Sequence, residues 1–381
     1  MKRNVWLQRA AWSLLLLALL AACRPSWQWR VTLDGQPLPA ITAQEWCVWA
    51  KTFPAELRGK GTQQTLPLER ALWQKGVWAV EELRLNGQTF PWREAHGVAW
   101  LAAQGQAQIG EATFPPGTLE VIAPPQTAGI AWSLTDLAPT VAGALGTRSP
   151  KMTTGRAWGA FKAERVVVVV LEGLGYQRYQ EVKGQRITLL LDSLGQPRLV
   201  RGIYPGEDGV VTASLLTGTL PQNHGVYGPE RDKIGAETLL DVLAQAGKRS
   251  TVVQGPGARL RLGNAAILWA KDDNGDGSTD DDVVAQGIAA ATADPPHLLW
   301  LDLRGLVEAS QAYGIASDQE LAKLSEIDTQ LHLLIEALPA DTLLLICGGY
   351  GLHPSDQEGQ RAMSGSLLVE DMLVPLWIVQ L

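Results

Sequence analysis

The sequence predicts a doubly wound, mostly parallel α/β sheet preceded by a smaller strand-rich domain, on three observations. From about residue 165 onward, apolar strand-like runs alternate with helical patterns, the signature of a sheet covered by helices on both faces. Val166 to Val170 form five consecutive valines bounded by charge and glycine, the composition of a strand buried on both sides. Before the proline-rich stretch TFPPGTLEVIAPPQ the pattern is different, with short alternating segments punctuated by Asp-Gly and Asn-Gly.

In chain order, the first element is an export signal. Lys2, Arg3 and Arg9 precede the apolar run AAWSLLLLALLAA, which stops at Cys23 and the polar RPS. The run is shorter than the roughly 20 apolar residues of a spanning helix, so residues 1–22 are expected to be a signal peptide. The end Leu20, Ala21, Ala22, Cys23 resembles the lipobox of bacterial lipoproteins. That resemblance implies cleavage before Cys23, diacylation of its sulfur and an extracytoplasmic chain held to a membrane. An ordinary secretory signal cut at small residues nearby is the alternative.

Residues 23–126 are expected to form the small mixed domain. WQWRVTLDG and VEELRLNGQTF read as strands with turns at Asp34, Gly35, Asn86 and Gly87, and QTLPLERALWQKG reads as one short helix. Residues 127–381 are expected to form the α/β domain. Strands are expected at VVVVVLEGLGY, STVVQ, HLLWLDL and TLLLICGG, and helices at ETLLDVLAQAGK and DQELAKLSEIDTQLHLLIEAL, whose apolar residues recur at helical spacing.

Composition excludes one partner class and leaves others open. A formal charge of -7 argues against nucleic acid, which needs a basic stripe to displace counterions. With Cys23 assigned to lipid, Cys47 and Cys347 remain; they could form one disulfide in an oxidising compartment, but they lie far apart in sequence, each in an apolar context, and read as two separate buried thiols. The 15 tryptophans against 4 phenylalanines carry no functional reading.

Three segments carry a family resemblance: VVVVVLEGLGY, YPGEDGVVTASLLTGTLPQNHGVYG and DVLAQAGKRSTVV. Together they resemble the type I phosphodiesterase and nucleotide pyrophosphatase branch of the alkaline phosphatase superfamily, most specifically from Ser214 to Tyr227. SLTDLAPTVAGALGTRSP with GRAWGAF, within residues 129–161, resembles the closing segment of that family. Here it precedes the first strand, and LVPLWIVQL ends the chain, an order that looks circularly permuted.

The resemblance implies chemistry with two close metal ions, usually zinc, held by carboxylates and histidines at strand ends. Position by position, the first metal-binding carboxylate falls on Glu172 and the hydroxyl nucleophile on Asp208. The Asp-x-x-Gly-His loop falls on VEASQAYG, which puts Val307 and Gln311 at ligand positions. The later Asp-His-Gly falls on Gly349, Tyr350 and Gly351. With so many donors replaced, a dinuclear zinc site is not expected. Glu172 and Asp208 are vestigial ligands on this reading, although Glu172 could equally pair with a cation or cap a helix, and Glu207 and Asp208, flanked by glycines, could belong to a solvated loop. His224, in the Pro-x-x-His-Gly turn, is expected to be a hydrogen-bonded turn histidine. Thr212 and Ser214 lie inside the expected helix and not at its start, where a nucleophile belongs.

A separate signal lies at KDDNGDGSTDDDVV. Asp272, Asn274, Asp276 and Gly277 match the opening of a calcium loop, with Ser278 and Asp280 as further ligands. The twelfth position, normally a bidentate Glu, is Val283. A solvated acidic loop capping a helix that begins near Asp282 accounts for the same residues. The sequence thus predicts a membrane-anchored extracytoplasmic lipoprotein with a degenerate phosphodiesterase-like domain, a non-catalytic binding or assembly role, and a protein partner at the cell surface. Two alternatives stay open: an active metal-dependent phosphoesterase or sulfatase with an unusual ligand set, and a calcium-stabilised structural module.

Overall fold

A computed structural model describes residues 26–275, 277–355 and 359–381. The signal peptide, Cys23 and Asp276 lie outside the described residues. No helix among the described residues is long and apolar enough to cross a membrane. The chain divides into two compact units, one running to Val77 and including Glu81–Ala123, the other comprising Trp78–Val80 and Pro124–Leu381.

The first unit contains strands β1 (Gln28–Leu33), β2 (Gln36–Thr42), β3 (Thr65–Pro67), β4 (Glu82–Leu85), β5 (Gln88–Pro91), β6 (Ala99–Ala102), β7 (Ala107–Ile109), β8 (Ala112–Phe114) and β9 (Thr118–Ile122). They form two sheets, ordered β2-β1-β9-β4-β5 and β3-β6-β7-β8. Asp34-Gly35 joins β1 to β2 and Asn86-Gly87 joins β4 to β5, with all four residues at positive φ. Two-residue loops of this twist match the twist of the strands they join, which is why these dipeptides mark hairpins. Helices α1 (Ala43–Thr52), α2 (Leu68–Gln74) and α3 (Trp92–Ala95) complete the unit. The expected single helix over QTLPLERALWQKG is shorter than its segment, because Thr65–Pro67 pairs with β6. Trp29, Trp46 and Trp92 are buried here, and the indole N–H groups of Trp29 and Trp46 donate to the carbonyls of Gly105 (2.7 Å) and Leu101 (2.9 Å). Trp29 and Trp46 thus serve as large core residues whose one polar atom is satisfied, whereas the Trp92 indole nitrogen is buried with no hydrogen-bond partner among the described residues.

The second unit is built on β10 (Arg165–Leu171), β11 (Arg198–Arg201), β12 (Ser250–Gln254), β13 (Ala266–Trp269), β14 (Leu298–Leu303), β15 (Thr342–Gly348), β16 (His353–Pro354), β17 (Ala362–Met363) and β18 (Leu373–Gln380). Seven of them form one sheet in the order β11-β18-β15-β10-β14-β12-β13. Strands β15, β10, β14, β12 and β13 pair in parallel, and β18 runs antiparallel between β15 and β11. Its helices are α4 (Leu137–Ala144), α5 (Tyr176–Val182), α6 (Leu189–Ser193), α7 (Asp208–Thr217), α8 (Pro221–His224), α9 (Leu239–Gln245), α10 (Asp280–Ala293), α11 (Gly305–Tyr313), α12 (Asp318–Ala337) and α13 (Val369–Met372).

The valine run explains the two-sided cover. Successive side chains of a strand point to opposite faces, so Val166, Val168 and Val170 join a core with Val141 of α4, Val211 of α7 and Leu240 of α9. Val167, Val169 and Leu171 join a second core with Tyr179 of α5, Val284 of α10 and Leu331 of α12. Each such side chain contributes about 1.5–3 kcal/mol on burial, and a polar residue in this run would cost one core or the other.

The segment resembling a displaced closing motif packs beside α7. Its Asp136 accepts from the Arg156 N–H (2.7 Å) and Thr140 Oγ1 from the Trp158 N–H (2.9 Å), tying its two phrases together. The cysteine expectation needs one correction. Cys347 is buried in β15, where burial pushes its thiol up to about 12, but Cys47 is exposed on α1, off the stripe formed by Ala43, Trp46 and Trp49. Both thiols are free.

Candidate functional site

Parallel register aligns the carboxyl ends of β10, β14 and β15, because Leu171 sits beside both Leu303 and Gly348. Glu172 is the first residue past β10, Arg304 the first past β14, and Gly349 and Tyr350 follow β15. Alternation then decides which side chains meet. Val168, Val170 and Trp300 face the core shared with α7, so Glu172, Asp302 and Arg304, at the same parity, project to the side where α7 begins with Asp208.

The result is a compact polar cluster. Glu172, Asp208 and Asp302 each offer a carboxylate oxygen, and these atoms lie within 4.8 Å of one another. The Arg304 guanidinium enters the cluster, its Nη1 standing 2.5 Å from Asp208 Oδ2 and 3.3 Å from Glu172 Oε2. Tyr350 Oη donates to the same Glu172 oxygen at 3.0 Å. Asp302 is 4% exposed, and its Oδ1 has no hydrogen-bond partner among the described residues.

The electrostatics follow from burial and like charge. Burial, then the charges of Asp302 and Asp208, hold the Glu172 carboxyl well above the usual range against the pull of Arg304. Burial, then Asp208, pushes Asp302 up to about 8, again with Arg304 opposing. Burial pulls the Arg304 guanidinium down, but Glu172, Asp208 and Asp302 together raise it above its already high value. Burial and Glu172 likewise raise the Tyr350 phenol.

Asp208, Arg304 and Tyr350 of this cluster line a cleft of about 400 Å³, together with Arg231, Arg259 and Gln311 among others. Open α/β sheets bind ligands beyond the carboxyl ends of their strands, at such a crevice. Gly206 packs against the cleft wall, where an added Cβ would lie 3.1 Å from that of Tyr350.

Of the residues singled out in the sequence, Glu172 and Asp208 come together, and Glu172 pairs with a cation. Tyr350 joins them as a neutral partner and Gln311 lines the cleft, but Val307 is buried in the core. His224 is fully buried, its Nε2 2.8 Å from Ser214 Oγ and its Nδ1 accepting from the Val226 N–H, and burial lowers it to about 3. Ser214 is engaged with it inside α7, and Thr212 also lies within that helix. Asp302 and Arg304 were not anticipated. The available signal was a lone carboxylate inside the apolar run LLWLDL followed directly by an arginine, since a charge is almost never fully buried unpaired.

The acidic loop is arranged differently. Asp272 is exposed and accepts from the N–H groups of Gly275 (2.6 Å) and Gly277 (2.9 Å), and the Asn274 amide donates to Asp281 (2.8 Å). Ser278 Oγ accepts from the Asp280 N–H at 3.3 Å. Asp280, expected as a ninth-position calcium ligand, is instead 2% exposed, and its two oxygens accept from the N–H groups of Arg304 and Gly305, both at 2.9 Å. The reason is the helix it opens: α10 begins at Asp280, two residues before the expected start, and the side chain caps α11.

A polar cleft above the strand ends of a mostly parallel sheet, at the start of a helix, places the second unit among α/β domains with a ligand site at that edge. Residues 166–375, more than half of the chain, match the family model of type I phosphodiesterase / nucleotide pyrophosphatase, and the chain belongs to that family. No curated protein matches the sequence.

Solved structures similar to the chain include an inactive variant of murine ectonucleotide pyrophosphatase / phosphodiesterase 5 in complex with AMP. It is 19% identical with a TM-score of 0.42, over 51% of this chain and 59% of that one. Phosphonoacetate hydrolase from Sinorhizobium meliloti 1021, in complex with phosphonoformate, is 16% identical with a TM-score of 0.42, over 56% and 62%. The human ectonucleotide pyrophosphatase / phosphodiesterase 5 is 18% identical with a TM-score of 0.41, over 50% and 58%. The chain spans less than two thirds of the length of each.

The residues present do not fit a dinuclear zinc centre. The cluster supplies three carboxylates and no imidazole, since none of the five histidines is among the described residues lining the cleft. Two metal ions need more donors than that, and a guanidinium already stands among those present.

Proposed function

We propose that the chain is a phosphodiesterase-family lipoprotein that binds or assembles without catalysing, tethered outside the cytoplasm through Cys23. The observation that carries the non-catalytic part is the composition of the strand-end cluster: a carboxylate at the nucleophile position, Asp208, is ion-paired to Arg304 at 2.5 Å. Transition-state stabilisation in phosphoryl and sulfuryl transfer rests on positive charge placed on the transferring oxygens. Here the charge of Arg304 is directed at Glu172 and Asp208.

The residues leave a cleft suited to recognition. Arg231 and Arg259 are exposed at its wall, and a protein partner at the cell surface, not nucleic acid, is the occupant this reading favours. Membrane attachment follows from the lipobox-like end at Cys23. A Cys23→Ser variant is expected to lose acyl labelling and membrane association; unchanged labelling would remove the anchor from this reading.

The rival reading is a metal-dependent phosphoesterase with an unusual ligand set, favoured by three carboxylate oxygens within 4.8 Å in a chain of this family. Hydrolysis of aryl phosphate mono- and diesters and aryl sulfates, with zinc, magnesium, manganese or calcium, separates the two. Equal background rates in wild type and Asp208→Asn are expected. Metal-dependent turnover abolished by that substitution would overturn the non-catalytic reading.

A further inference from the structure

We propose that Glu172, Asp208 and Asp302 constitute a single-cation site whose resident cation is the Arg304 guanidinium, and that removing this guanidinium turns the cluster into a site for one hard divalent metal ion. The inference deepens the non-catalytic reading and rests on it for the claim that the native occupant is the arginine.

The first observation is the position of the guanidinium. Nη1 of Arg304 reaches both Glu172 Oε2 (3.3 Å) and Asp208 Oδ2 (2.5 Å), so one planar group satisfies two carboxylates from different strand and helix ends. The second is independent: Asp302, 96% buried by its 4% exposure, brings its carboxylate into the same cluster and leaves Oδ1 without a partner. A buried carboxylate oxygen with no donor is costly, and it marks a third ligand position that a flat, two-armed guanidinium does not serve.

Geometry and chemistry agree on what would serve it. A point within about 2.8 Å of all three oxygens exists when none is more than 4.8 Å from another, a few tenths of an ångström beyond calcium–oxygen distances. An all-oxygen set suits magnesium, manganese or calcium in preference to zinc. The guanidinium and a metal ion would occupy the same space and answer the same charges, so each excludes the other. Arg304 is held there by its own backbone, because its N–H donates to the buried Asp280 at 2.9 Å. The consequence for the protein is a set of strand ends whose charge is balanced by the chain itself, independently of metal supply.

The test is manganese uptake by the whole purified chain, by metal analysis after dialysis and by thermal melting with MnCl₂ or MgCl₂. Every variant carries Asp272→Ala to silence the acidic loop. The reference chain is expected to take up no manganese that Asp302→Asn removes. Arg304→Met is expected to gain one equivalent and a melting temperature that rises with MnCl₂, both lost in Arg304→Met/Asp302→Asn. Should Arg304→Met fold poorly, the neutralised double variant is expected to restore folding without metal.

Three results would overturn the inference. They are one equivalent of metal in the reference chain lost with Asp302→Asn, a folded Arg304→Met that binds none, and a double variant that stays unfolded. Ester turnover by wild type that survives Asp302→Asn would sink the functional reading alone and leave this one standing.

Discussion

Two acidic clusters in the second unit invite comparison, the strand-end trio of Glu172, Asp208 and Asp302 and the loop spanning residues 272–282. The loop is contiguous and is exposed from Asp272 to Gly275, and its charges are spread between solvent, backbone N–H groups and the start of α10. The trio comes from three distant segments, is largely buried, and is balanced by a single arginine. The loop has the spacing of a cation site, but Asp280 has turned inward to cap α11. No spacing along the chain marks the trio as a set, yet its carboxylate oxygens lie within 4.8 Å of one another. Spacing along the chain therefore nominates ligands, whereas burial and counter-charge decide which of them face a common point. Asp280 links the two, since its oxygens hold the N–H of Arg304.

The sharpest break of this comparison is removal of the counter-charge. Arg304→Met strands partly paired, buried carboxylates, and breaking such a pair typically costs about 3–5 kcal/mol. Urea unfolding is expected to show a loss of that order without added metal. A loss under about 1 kcal/mol, the range of surface pairs, would mean that the trio is as well solvated as the loop.

The next effect depends on pH. Asp302 is pushed up to about 8 by burial, then by Asp208. The native state therefore holds its proton over a window, from about 4 to about 8, in which the unfolded chain has released it. Its stabilising contribution is complete below pH 4 and is lost as pH rises through about 8. Asp302→Asn, which does not titrate, is expected to gain on wild type by at most about 1.4 kcal/mol per pH unit across that window. Parallel stability curves between pH 5 and pH 8 would show that Asp302 is ionised and paired throughout.

The comparison also shows what sequence could reveal. The valine run, the Asp-Gly and Asn-Gly hairpins and the helical spacing of α12 act locally, so they are readable residue by residue. Glu172 and Asp208 were found only through resemblance, which aligns positions without weighing charge. Asp302 and Arg304 were missed because their meaning lies in register: only once β14 is set beside β10, with Asp302 opposite Val170, does a carboxylate in an apolar strand fall next to Glu172. The antiparallel course of β18 was equally hidden, since LVPLWIVQL is apolar in either direction. Cys47 was misjudged because apolar neighbours along a helix do not share its face.

The smallest effect concerns calcium, and it tests the loop half of the comparison. A full calcium loop closes with a bidentate carboxylate at its twelfth position, but Val283 stands there and is buried in the core. Asp280 at the ninth has both oxygens committed to backbone N–H groups. Among the described ligand candidates, Asp272 and Asn274 are the exposed ones, and a loop without its closing carboxylate fits dissociation constants no tighter than about 10⁻⁴ to 10⁻³ M. Mass action then limits stabilisation at 1 mM calcium to about 0.4–1.4 kcal/mol, a melting shift of a few degrees at most for a unit of this size. Asp272→Ala is expected to abolish that shift at little cost in its absence. Asp280→Ala is expected to cost about 1–2 kcal/mol for the lost cap, by the same amount with calcium and without it, because its carboxylate serves α11 and not an ion. A calcium shift that vanishes in Asp280→Ala would show the opposite, with Asp280 leaving the helix to complete the loop, and would dissolve the distinction between a cluster closed by its own arginine and one open to solvent cations.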